Sequence, residues 1–124
     1  VVVLVVDDDP VSLMLAEHIL RAGGHDIVTA VDAASALDAL SAAESPIDAI
    51  VCDYMMPGDN GLDLLEKLSA NEAAPCPPFV LLTGVSEADE LEDDRVELAT
   101  AYLTKPVKSD ELLAVVAQVL APEN

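Results

Sequence analysis

The order of hydrophobic patterns along the chain is its tightest constraint. Short β-branched runs of strand length alternate with longer segments whose apolar residues recur at helical spacing. Val1–Val6 is a continuous apolar run, as a strand covered on both faces requires. Asp9-Pro10 reads as an N-cap with Pro at the first helical position. Val11, Leu15, Ile19 and Ala22 follow at helical spacing, and Gly23-Gly24 stop that helix. Asp26–Ala30 is a second strand. Asp32 then caps a helix with Ala33, Ala36, Leu37 and Leu40 on one face.

The alternation continues. Ile47–Cys52 reads as a third strand, and Pro57, Gly58, Asn60 and Gly61 mark a loop. Leu62–Ala70 is a helix with Leu64, Leu65 and Leu68 as its buried row, and Phe79–Leu82 is a fourth strand. Ser86–Leu98 is predicted as a helix weakened by the acidic run Glu87–Asp94, in which like charges stand at i, i+4. Ala101–Leu103 is a short fifth strand. Ser109 is read as the cap of a last helix, with Asp110 and Glu111 at its positive end and Leu113, Val116, Ala117 and Leu120 as its stripe. Five strand–helix repeats in order imply an α/β fold, a parallel sheet with helices on both faces. The 124 residues fit one domain, 1–124; from the start inside an apolar run without Met, either a trimmed chain or a domain excised from a longer protein is expected.

Charge excludes some functions. Five Lys+Arg against 24 Asp+Glu leave a net charge of −19, which repels phosphate backbones and anionic membrane surfaces. No nucleic acid partner and no membrane insertion are expected. The longest apolar run is too short for a bilayer and no signal peptide is visible, so a cytoplasmic location is expected. Cys52 sits in an apolar run and reads as core. With Cys76, His18 and His25 it makes no zinc spacing.

Ligands of open α/β sheets bind at the carboxyl ends of the strands. Here those ends carry Asp7-Asp8-Asp9, Asp53, Thr83-Gly84 and Leu103-Thr104-Lys105-Pro106. Three close carboxylates repel each other unless a cation neutralises them. Oxygen ligands with room for water suit Mg²⁺. A metal, a lysine and a hydroxyl form a set suited to a phosphoryl group in transfer, and a carboxylate can itself accept that group.

Four stretches carry a resemblance: Val5-Val6-Asp7-Asp8, Val51-Cys52-Asp53-Tyr54-Met55-Met56-Pro57, Leu81-Leu82-Thr83-Gly84 and Tyr102-Leu103-Thr104-Lys105-Pro106. In order and spacing they resemble the receiver domain of two-component response regulators, over nearly the whole chain. The resemblance implies a doubly wound (βα)₅ domain with a five-stranded parallel sheet of flavodoxin-like order 2-1-3-4-5. It implies that Asp53 is phosphorylated by a sensor histidine kinase or phosphotransfer protein. Asp8 would ligate Mg²⁺ directly, Asp7 through water, and Asp53 and the Met55 carbonyl would complete the protein ligands. Thr83 and Lys105 would contact the phosphoryl oxygens. Tyr102, half-buried, would turn inward with Thr83, and the Lys105-Pro106 bond would be cis. The changed surface would be the face of the Ser86–Leu98 helix, the fifth strand and the last helix, read by an unknown downstream protein or output domain. Met55 and Val85 are apolar at positions that tune hydrolysis in this family, so a long-lived phosphoryl group is expected.

The sequence departs from the family at Val107, Asn60, Leu98 and Thr100-Ala101, none of them among the phosphorylation residues. Two other functions compete with this reading. One is a receiver-like interaction module that is not phosphorylated. The other is a phosphatase of the haloacid dehalogenase class, whose Asp-x-Asp pattern Asp7-Asp8-Asp9 fits with Asp7 as nucleophile. That class also needs an acidic pair after the lysine, which is missing, and it would leave Asp53 unexplained. The plain alternatives are that these aspartates are caps and turn residues, Thr83 a hydroxyl bonding backbone and Lys105 a surface lysine.

Overall fold

A computed structural model describes residues 2–42, 47–54, 58, 60–70, 77–83, 99–104 and 108–120. The elements are β1 (Val2–Val6), α1 (Pro10–Ala22), β2 (Asp26–Ala30), α2 (Ala33–Ala42), β3 (Ala49–Asp53), α3 (Gly61–Ser69), β4 (Phe79–Thr83), β5 (Ala101–Thr104) and α4 (Ser109–Leu120). The strands form one parallel sheet in the order β2-β1-β3-β4-β5, as expected. Among the described residues no helix is long and apolar enough to cross a membrane. The helix expected over Ser86–Leu98 lies outside the described residues, as does Cys76.

Alternation along each strand divides the core in two. Leu4, Val6, Ile50, Cys52, Phe79 and Leu81 face one side, where α2 contributes Ala33 and Ala36 and α3 contributes Leu62, Leu64, Leu65 and Leu68. Val3, Val5, Val51, Val80 and Leu82 face the other, where Ala16, Ile19 and Leu20 of α1 meet Leu112 and Val116 of α4. The three central strands are buried on both faces, which is why their sequences read as unbroken apolar runs. At the amino end of the sheet Val2 N–H donates to the Asp48 carboxylate at 2.8 Å, and Asp48 N–H returns a bond to the Val2 carbonyl at 2.8 Å.

Several expectations need correction. Strand three starts at Ala49, not Ile47, and includes Asp53; β4 and β5 each run one residue further than expected. Helix α3 runs from Gly61 to Ser69, with Ala70 as its C-cap. Ser109 is the first residue of α4 rather than its cap: Lys108 supplies the carbonyl that accepts from Leu112 N–H at 3.0 Å. Ala117 is exposed, and the buried residues of α4 are Leu112 and Val116, with Leu113, Val119 and Leu120 beside them. In α1 the exposed residues include Val11, Leu15 and Ala22, while Ala16, Ile19 and Leu20 are buried. Both helices carry apolar residues on more than one face, so spacing alone permits two rotations. Contact with the sheet selects one.

Candidate functional site

Register brings the acidic residues together. Val6 pairs with Cys52, so Asp7 and Asp53 are the next residues out on adjacent strands. Asp53 in turn pairs with Leu82, and Thr83 is one residue further on β4. Carboxylate oxygens of Asp7, Asp8 and Asp53 all lie within 4.8 Å of one another. Asp7 and Asp53 are buried, at 3% and 6% exposure, whereas Asp8 faces solvent.

The backbone around this cluster is held from several sides. Asp7 N–H donates to the Ala30 carbonyl at 3.1 Å, and the Asp7 carboxylate accepts from Asp9 N–H at 2.9 Å. Asp9 caps α1 as expected: its carboxylate accepts from Val11 N–H at 3.2 Å and from the Ser12 hydroxyl at 2.9 Å. Tyr54 N–H donates to the Leu82 carbonyl at 2.8 Å. The Cys52 thiol donates to the Asp53 carbonyl at 3.3 Å, and Cys52 is buried as expected.

Thr83 is fully buried, and among the described residues its Oγ1 has no hydrogen-bond partner. An unmet buried hydroxyl costs free energy, so such groups are scarce in folded proteins. Among the described residues the hydroxyl bonds no backbone group. Tyr102 departs from the expected half-buried position: it is 60% exposed on β5. An edge strand explains this, because β5 has a single neighbour, β4, in the sheet. Met55, Lys105 and Pro106 lie outside the described residues, and so does the expected cis bond.

The donor set fits a small hard cation. Mg²⁺ takes oxygen ligands at about 2.0–2.1 Å in octahedral geometry and keeps several waters. Three carboxylates gathered within 4.8 Å, one of them open to solvent, offer that combination. The Thr83 hydroxyl, without a partner among the described residues, stands on the strand next to Asp53, on the same rim.

Two residues of the loop before α3 do more than mark a turn. Asn60 is the N-cap of α3 and forms a reciprocal capping box with Asp63, at 2.9 and 2.8 Å. Gly61 is the first helical residue, and its N–H donates to the Tyr54 carbonyl at 2.9 Å. An Asn directly before an apolar run, with an acid three residues on, is close to the capping-box pattern and was the available signal.

Comparison with known proteins agrees with this geometry. The model of the response regulator receiver domain matches residues 3–117. The probable transcriptional regulatory protein TcrX of Mycobacterium tuberculosis is 39% identical over 117 residues, covering 91% of this chain and 47% of that protein. Protein PilH of Pseudomonas aeruginosa is 32% identical over 120 residues, covering 96% of this chain and 97% of PilH. The chain thus spans about half of one relative and nearly all of the other. Among solved structures, a putative response regulator from Chloroflexus aurantiacus superposes with a TM-score of 0.86 at 28% identity, over 98% of both chains. The receiver domain of NtrX from Brucella abortus gives 0.82 at 29% identity, over 95% of this chain and 97% of that one. Sheet order, acidic rim and sequence match agree: the chain belongs to the response regulator receiver domain family.

Proposed function

We propose that the chain is a phosphoacceptor switch of a two-component system, a single receiver domain over 1–124 with Asp53 as the acceptor. The observation that carries this reading is the gathering of the Asp7, Asp8 and Asp53 carboxylates within 4.8 Å on the rim that also holds the Thr83 hydroxyl, unpartnered among the described residues. Asp7, Asp8, Asp53 and the Met55 carbonyl would hold Mg²⁺. Bound there, the ion supplies positive charge against the phosphoryl oxygens and against the carboxylates themselves.

An Asp53 oxygen attacks the phosphorus of a phosphohistidine, or of acetyl phosphate. A P–O bond forms to Asp53 and the bond from phosphorus to the donor breaks. The electron pair leaves with the donor imidazole or acetate, and solvent supplies any proton the donor takes up. The Thr83 hydroxyl donates to one phosphoryl oxygen, and Lys105 meets another by the role its motif implies. Water later hydrolyses the acyl phosphate. The domain assists its own phosphorylation and dephosphorylation and turns over no separate metabolite.

The switch is a population shift between two states of the protein. Thr83 moves toward the phosphoryl group, and the exposed Tyr102 turns into the space beside β4. The domain acts in the cytoplasm, and the donor is a sensor histidine kinase or phosphotransfer protein. The response is read by a downstream protein or output domain, as in the longer relatives named as transcriptional regulators.

Mass spectrometry after incubation with acetyl phosphate and Mg²⁺ tests the reading. The parent should gain one phosphoryl group and Asp53→Ala none. A parent that stays unmodified, or an Asp53→Ala variant modified equally, would overturn it; the former would favour the unphosphorylated interaction module.

A further inference from the structure

We propose that Gly61 is a positioning residue for the phosphoacceptor: its missing side chain lets α3 press on the Asp53–Tyr54 backbone and hold the Asp53 carboxylate beside Asp7 and Asp8. This rests on the phosphoacceptor reading of Asp53. A Cβ placed on Gly61 would stand 2.7 Å from the Asp53 carbonyl oxygen, 2.8 Å from Leu81 Cδ1 and 3.2 Å from Tyr54 Cα. Contacts under 3.0 Å are essentially never made by real Cβ atoms. Two of the three obstacles are backbone, and the third belongs to a fully buried leucine. The glycine is needed for space and not for its dihedral angles, because the positive-φ glycines among the described residues are Gly24 and Gly58.

Neither side of this contact can yield freely. The Asp53–Tyr54 backbone is tied to β4 by the bond from Tyr54 N–H to the Leu82 carbonyl. Helix α3 is fixed by the Asn60–Asp63 capping box and by four buried leucines. Gly61 N–H also bonds the Tyr54 carbonyl, joining the two bodies directly. An added methyl therefore displaces the backbone that carries the Asp53 carboxylate. Mg²⁺ demands near-ideal octahedral geometry, so a displacement of that kind weakens its site.

The test compares Gly61→Ala with Gly23→Ala. A Cβ at Gly23 meets Leu113 Cδ2 at 2.5 Å, the end of a flexible side chain at the C-cap of α1, away from the rim. Mg²⁺ titration is followed by tyrosine fluorescence, since the chain has two tyrosines and no Trp. Urea midpoints and acetyl phosphate labelling are measured alongside. Gly61→Ala should bind Mg²⁺ at least about tenfold more weakly than the parent. Gly23→Ala should bind as the parent does, even where its urea midpoint falls as far.

Parental Mg²⁺ affinity in Gly61→Ala overturns the inference, as does equal weakening in Gly23→Ala. Should Gly61→Ala fail to fold, the parent decides by amide NMR. The Gly61 resonance should move with those of Asp53 and Tyr54 as Mg²⁺ is added, and a stationary Gly61 beside a moving Asp53 overturns the inference. A parent that takes no phosphoryl group sinks the phosphoacceptor reading itself, whereas labelling of parent and Gly61→Ala at equal rates sinks this inference alone.

Discussion

At single-residue scale, Thr83 combines full burial with a side-chain hydroxyl. Among the described residues its hydroxyl has no partner, an arrangement that costs about 1–3 kcal/mol in a folded protein. Replacing the hydroxyl with a methyl group of similar size removes that cost. Thr83→Val should therefore be more stable than the parent, by about 1 kcal/mol in urea unfolding without Mg²⁺ or phosphodonor. It should also label more slowly with acetyl phosphate, having lost a donor to the phosphoryl oxygen. A variant less stable than the parent would mean that the hydroxyl is satisfied in solution. The aspartates of the rim were legible in the sequence because strand ends are easily located and three acids there have few structural uses. Gly61 was not legible, because its role depends on which backbone passes beside it, a property of the packed molecule.

At the scale of elements, the central strands could be read directly, since burial on both faces leaves no polar position to confuse the pattern. Helices α1 and α4 were harder. Val11, Met14 and Leu15 are apolar yet exposed on α1, so hydrophobic spacing did not fix its rotation. Helix α2 offers a test by titration. The Asp32 carboxylate accepts from Ser35 N–H at 2.7 Å, and this bond, with one from the Ser35 hydroxyl, holds its pKa below the ordinary carboxylate range. The unfolded chain thus binds this proton more readily than the folded one. The group's contribution is complete above the unfolded pKa and disappears as pH falls through the lower folded value. Asp32→Asn keeps an accepting oxygen and does not titrate. The parent should exceed it in urea midpoint near neutral pH, and the gap should narrow between about pH 5 and about pH 3. A gap unchanged by pH would show that Asp32 ionises alike in both states.

For the whole molecule, the net charge of −19 makes stability depend on cations, and the Mg²⁺ site proposed on the acidic rim would add a separable dependence. Self-repulsion of the compact state is relieved by any salt, through screening over the Debye length. A site on the rim responds to the ion that fits it, stabilising the folded state as RT ln(1 + [L]/Kd). At constant ionic strength set with NaCl, Mg²⁺ at one hundred times its Kd should add about 2.7 kcal/mol to the unfolding free energy. Asp8→Asn separates the two effects, because Asp8 is exposed and supplies a carboxylate to the cluster without filling the core. Without Mg²⁺ that variant should be at least as stable as the parent, since one repelling charge is gone. It should respond to NaCl as the parent does and lose most of the Mg²⁺ increment. An increment that survives in Asp8→Asn would assign the effect to diffuse screening, and the rim would then be an acidic edge with no resident ion.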